Sequence, residues 1–143
     1  MARRDEGRRV YVNARLFDPD QGLDGTGGIM VADGRLIEVG ANVTAARAGA
    51  GTKVVDCRGR LLFPGIVDMR VFTGEPGTEY RETLATASEA AAAGGVTTMI
   101  VMPNTQPVID DAAIVDFILR RARDTASVRI APMAAITKGS RTR

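Results

Sequence analysis

Arg70 and Phe72 stand two residues apart in the stretch FPGIVDMRVFTGEPG, residues 63 to 77. The stretch reads as a strand running into a loop, and strand ends of that kind are where α/β proteins place their chemistry. Side chains at i and i+2 leave the same face of a strand with roots about 6.6 Å apart, so a pair there can reach one bound ion. Two His at these positions would make a metal clamp. Arg70 is instead permanently protonated with no lone pair to give, and Phe72 offers only a ring face. The chain has no His at all and a single Cys, Cys57. Cys57 can form no internal disulfide, which suits a reducing compartment. With no His to activate it, it is expected to be a buried packing residue and not a nucleophile.

The 143 residues, 45% hydrophobic, suffice for a core, and only 4% are aromatic, with no Trp. Ala and Gly are abundant, which suits small-residue helices packed closely on strands. Nineteen Lys and Arg against 17 Asp and Glu give a net charge of +2, with the excess in ARRDEGRR and TKGSRTR at the two ends. Short terminal Arg clusters without interleaved aromatics argue for solvated ends and against a nucleic-acid surface. No stretch of 18 apolar residues and no signal-peptide core occurs, so the expected protein is soluble, cytoplasmic and away from membranes.

The elements that must position residues 70 and 72 follow from periodicity. RVYVNARLF (9 to 17) alternates as a strand, and Asp33-Gly34 between two apolar runs marks a hairpin. KVVD and RLLF add two short strands, so residues 1 to 62 read as a small antiparallel β unit. GTGG (25 to 28) and AGAG (48 to 51) lack phosphate-loop context and read as flexible connections. From residue 63 the pattern becomes strand, helix, strand, helix, strand. GIVDMRVF is followed by a helix over TEYRETLATASEAAAAGG with Thr78 as N-cap, Glu79 and Glu82 near its positive end, and Gly94 or Gly95 as its stop. VTTMIVM is a strand. DDAAIVDFILRRARDTA is a second helix with Val115, Ile118, Leu119 and Ala122 as its buried stripe, and SVRIAPMAAIT is a third strand. This order implies parallel strands with right-handed crossovers. A closed eight-stranded barrel takes ~250 residues, so one begun at residue 63 stays incomplete in this chain.

The blocks Pro64-Gly65, Asp68, Glu75-Pro76-Gly77, AAAAGGVTT and MPNTQPVID occur in the order found in the dihydroorotase family of the amidohydrolase superfamily, which the chain resembles; ITKG resembles that family's next block. The resemblance implies an α/β fold: the start of an amidohydrolase (β/α)8 barrel (63–143) preceded by a small β-sandwich segment (1–62). It also implies a site with one or two zinc ions that activate water to open and close the cyclic amide between carbamoyl aspartate and dihydroorotate. In the family pattern the two metal-binding His fall on Arg70 and Phe72, the carboxylate-binding Arg on Gly74, and the carboxylate-binding Asn on Asn104. Only Asn104 is kept. It is the one expected substrate-binding residue; the alternative is an Asx-type turn that shapes the loop between Pro103 and Pro107.

The resulting expectation is a pseudoenzyme of pyrimidine biosynthesis: a dihydroorotase-like protein with its zinc site lost, no catalytic or metal-binding residue in this segment and no cofactor held by it. Some members of the family that lack the His pair are similar to subunits that associate with aspartate transcarbamoylase, which the resemblance therefore suggests as partner. An oligomer is expected, with the rest of the barrel or a second chain covering the exposed strands. Arg70 is expected to pair with a carboxylate freed by the missing metal, with Phe72 packing the vacated mouth; the alternative for Arg70 is a solvated loop residue. Asp68 is expected to join the barrel's hydrogen bonding, and Glu75 and Glu79 to be loop or helix-start carboxylates. Two other readings stand beside this one. The first is an active zinc-dependent dihydroorotase or related cyclic amidohydrolase using ligands outside the segment; the second is an independent small binding module.

Overall fold

The computed structural model describes residues 7–140, which fall into two compact units divided between Pro64 and Gly65. Of the terminal cations, Arg3, Arg4, Arg141 and Arg143 lie outside the described residues.

The first unit is one five-stranded sheet. β1 (Arg9–Asp18), β2 (Leu23–Ala32) and β3 (Arg35–Gly40) form an antiparallel meander, and β4 (Lys53–Asp56) and β5 (Leu61–Leu62) both pair with β1. The expected all-antiparallel unit is corrected here, because β4 and β5 run parallel to β1. The reason lies in the connection after β3: residues 41 to 52, with a short 3-10 turn at Ala45–Arg47, carry the chain back to the starting end of β1. The alternation read from the sequence gives β1 one buried row, Val10, Val12, Ala14 and Leu16. Met30, Val43 and Ala48 complete the cluster around Val10 and Val12.

The Asp33-Gly34 turn joins β2 to β3 with both residues at positive φ, 50° and 71°, as a two-residue hairpin with right-handed strand twist requires. GTGG is not a loop, because residues 25 to 28 lie within β2. Cys57 is half-buried, not fully buried as its chemistry suggested.

The second unit is a parallel sheet in the order β6 (Ile66–Val71), β7 (Val96–Val101), β8 (Arg129–Pro132), with α1 (Leu84–Ala93) and α2 (Ala112–Thr125) in the two crossovers. Its core joins Leu84, Met99, Val101, Ile109, Ile118, Ala122 and Ile130, with Val71, Ala87, Ala91 and Val115 packed against them. The α2 stripe differs from the expected one at a single position. Leu119 is 42% exposed, and Ile114 packs on the core instead. Apolar side chains on β6, Val67 and Met69 among them, remain exposed. No helix among the described residues is long and apolar enough to cross a membrane.

Helix α1 begins later than its sequence suggests. Its N-cap is Thr83, not Thr78, and residues 79 to 81 form a turn. Thr83 Oγ1 accepts from Thr86 N at 3.1 Å while Thr86 Oγ1 accepts from Thr83 N at 3.1 Å, a reciprocal capping box built from two threonines. Thr78 is consumed elsewhere, since its hydroxyl and its amide both donate to Gly74 O. Gly94 ends α1 and Gly95, at φ 82°, turns the chain into β7. Thr83→Ala removes one side of the box and should cost about 1 kcal/mol in denaturant unfolding, with Thr83→Ser close to wild type.

Candidate functional site

Strand β6 ends in an irregularity. Asp68 Oδ1 accepts the Arg70 amide at 3.0 Å, and the β6–β7 register shifts between Asp68 and Val71. The Asp68 side chain thus takes an N–H that the ladder would otherwise use, a local hydrogen bond within the first parallel strand. Beyond it, the Arg70 guanidinium carbon lies 5.7 Å from the centroid of the Phe72 ring. Its neighbour is an aromatic ring, and among the described residues Arg70 makes no ion pair. Phe72 is 54% exposed and lies against the Arg70 guanidinium.

The residues here do not fit a divalent metal. A guanidinium and a phenyl ring supply no lone pair, and no cluster of three or more His, Cys, Asp or Glu that could hold a metal occurs among the described residues. A cation placed about 4 Å from Arg70 would be opposed by about 1 to 4 kcal/mol per unit of charge, depending on its exposure to water.

At Gly74 the loop doubles back on itself. Gly74 N donates to Glu82 O at 3.0 Å, and Gly74 O accepts from the Thr78 amide and hydroxyl. A Cβ on Gly74 would sit 2.2 Å from Thr78 O and 2.5 Å from Glu82 O, both backbone atoms, so no side chain fits here without moving the loop. The neighbouring loop, residues 102 to 108, docks through Gln106 N, which donates to Pro76 O at 3.0 Å, while Thr105 Oγ1 donates to Pro107 O.

Between these loops lies a hollow of about 370 Å³ whose lining includes Phe72, Gly74, Arg81, Glu82, Asn104 and Gln106. Asn104 is exposed on its wall, and its side chain makes no hydrogen bond among the described residues. Thr105, rather than Asn104, carries the side-chain bond that shapes the loop. Arg81 and Gln106 were not singled out from the sequence; neither lies in a chemically suggestive spacing, and only the fold brings them to Asn104.

The acid that organises this region is Glu75. Its side chain is 4% exposed; Oε2 accepts the Leu84 amide at 2.9 Å, and Oε1 accepts from Arg121 Nε at 2.6 Å. Glu75 is therefore the helix-start carboxylate, acting from outside the helix on its first N–H group. Glu79 serves the loop instead. Its Oε1 accepts from Gly77 N at 2.8 Å, and this hydrogen bond holds its carboxyl below the ordinary Glu range. At the far end, Gly139 N donates to Asp110 Oδ2 at 2.6 Å and Lys138 Nζ donates to Asp110 O at 3.1 Å, tying the TKG segment to the start of α2.

An irregular parallel sheet with helical crossovers is the beginning of a (β/α)8 barrel of the amidohydrolase type. Solved structures agree: the L-hydantoinase (dihydropyrimidinase) from Arthrobacter aurescens matches with a TM-score of 0.77 and 27% identity, covering 88% of this chain and 27% of that one. A D-hydantoinase (dihydropyrimidinase) from Thermus sp. matches with a TM-score of 0.68 and 27% identity, over 90% and 27% of the two chains. Within that class the chain belongs to the dihydroorotase-like family, whose model, Dihydro-orotase-like, matches residues 59–143. Curated relatives include the dihydroorotase of Citrifermentans bemidjiense, 42% identical over 127 residues, covering 89% of this chain and 29% of that protein. That of Anaeromyxobacter dehalogenans strain 2CP-C is 44% identical over 126 residues, covering 88% and 28%. The chain thus spans less than a third of the length of these relatives.

The Glu75–Arg121 pair gives an asymmetric test. Arg121→Ala leaves a buried carboxylate without its cation and should cost roughly 2 to 4 kcal/mol in denaturant unfolding, whereas Glu75→Gln removes the charge and should cost roughly 1 to 2. The double variant should then be more stable than Arg121→Ala alone, the coupling that a double-mutant cycle measures.

Proposed function

We propose that this chain is the first part of a non-catalytic dihydroorotase-like protein whose zinc-binding His pair has been replaced and whose role is structural, in complex with aspartate transcarbamoylase. The observation that carries this reading is the end of β6, where Arg70 stacks on Phe72 5.7 Å away and neither can ligate a metal. The closed backbone around Gly74 supports it independently, since the position that would hold the substrate carboxylate has no room for a side chain. Loss at three functional positions within otherwise retained blocks is the pattern of a scaffold kept for its surface. Exposed Val67, Met69 and Phe72 leave apolar area for the rest of a barrel or a second chain to cover.

An active dihydroorotase using metal ligands beyond this segment is the second reading. It is favoured by the name dihydroorotase on relatives at 40 to 44% identity. Affinity for zinc falls steeply when ligands are removed from the coordination shell, which weighs against it.

Two measurements on the full-length protein separate the readings. Size-exclusion chromatography with purified aspartate transcarbamoylase at micromolar concentrations should give a co-eluting complex, and two separate peaks would argue against the structural role. Dihydroorotate formation from carbamoyl aspartate with added zinc should stay at background; turnover would establish the second reading.

A further inference from the structure

We propose that the loop of residues 74 to 82 is a gate, which swings away from the sheet as one rigid piece and is latched by the Glu75–Arg121 ion pair. The loop is closed on itself. Gly74 N donates to Glu82 O at 3.0 Å across its neck, the Thr78 amide and hydroxyl both donate to Gly74 O, and Arg81 N donates to Thr78 O at 2.9 Å. Gly77 N donates to Glu79 Oε1 at 2.8 Å, also within the loop. A segment whose ends meet and whose polar groups are spent on one another keeps its shape when it moves.

Few bonds tie this piece to its surroundings. Gln106 N donates to Pro76 O at 3.0 Å, and the Glu75 carboxylate accepts from Leu84 N at 2.9 Å and from Arg121 Nε at 2.6 Å. The bonds from Thr73 Oγ1 to Glu75 O and from Thr86 Oγ1 to the Glu82 carboxylate sit at the two ends, where the chain enters and leaves the loop. Arg121 makes the closed position tolerable, because the Glu75 side chain is 4% exposed and a buried carboxylate without its cation is costly. Swinging outward returns that charge to water and leaves the loop's internal bonds intact. Helix α1 does not unravel with the loop, since Thr83 and Thr86 cap it reciprocally without Glu75. Gly74, Thr78, Arg81 and Glu82 form one wall of the hollow, so the position of the gate sets access to it. The motion is independent of the proposed loss of catalysis.

Hydrogen exchange of the full-length protein, resolved to single amides, tests it. In wild type the amides of Leu84 and Gln106, which bond across the gate, should share one protection factor, and those of Gly74, Thr78 and Arg81, which bond within it, should be better protected. Arg121→Ala should lower the shared protection of Leu84 and Gln106 roughly tenfold or more while leaving Gly74, Thr78, Arg81 and strand β7 as in wild type. Adding Glu75→Gln should bring Leu84 and Gln106 back toward wild type, because a neutral carboxamide tolerates burial and still accepts from Leu84 N. Arg120→Ala, an exposed position on α2 paired with Asp116, should exchange like wild type. Loss of protection throughout residues 74 to 82, unchanged protection at Leu84 and Gln106, or no recovery in the double variant would overturn the proposal. Should Arg121→Ala fail to fold, the wild-type measurement decides alone: unequal protection at Leu84 and Gln106, or Gly74 and Thr78 exchanging as readily as they do, would equally overturn it.

Discussion

One buried carboxylate sets the shape of the second unit's functional end. Glu75 lies in the loop after the first parallel strand, yet its two oxygens are spent on the first amide of α1 and on Arg121 of α2. A charge so nearly excluded from water is tolerable only when it is paired and hydrogen-bonded, so the loop cannot drift without breaking both contacts. Gly74 is held one residue before it by backbone bonds to Thr78 and Glu82, and Gln106 reaches Pro76 one residue after it. The hollow walled by Phe72, Arg81 and Asn104 is what remains between loops pinned in this way.

The same constraint explains why the residues at the end of β6 can vary without loss of the structure. Arg70 and Phe72 lie against each other at the strand end, and neither residue takes part in the buried core. The core of Leu84, Met99, Ile109 and Ile118 and the Glu75 network draw on other residues. A scaffold can therefore persist while its strand end changes character, because folding and chemistry draw on different residues.

Much of this architecture was legible from local pattern. The parallel strands, the hairpin at Asp33-Gly34, the Gly94 stop and the buried Ile118 and Ala122 follow from periodicity and turn chemistry that act over a few residues. What escaped was set by distant partners. Thr83 displaced Thr78 as the cap because Thr78 bonds Gly74, and β4 and β5 pair parallel to β1 because of where residues 41 to 52 lead. The Glu75–Arg121 pair spans 46 positions, and Arg81 meets Asn104 only through the fold. The Arg70 guanidinium lies over the ring of Phe72, two residues on.

The account rests on the incapacity of the β6 strand end to hold a divalent cation. Diffraction from crystals of the full-length protein grown with zinc, recorded on both sides of the zinc absorption edge, tests it most directly. The account predicts no anomalous peak beside Arg70 and Phe72, whereas a strong peak there with protein ligands around it would contradict it.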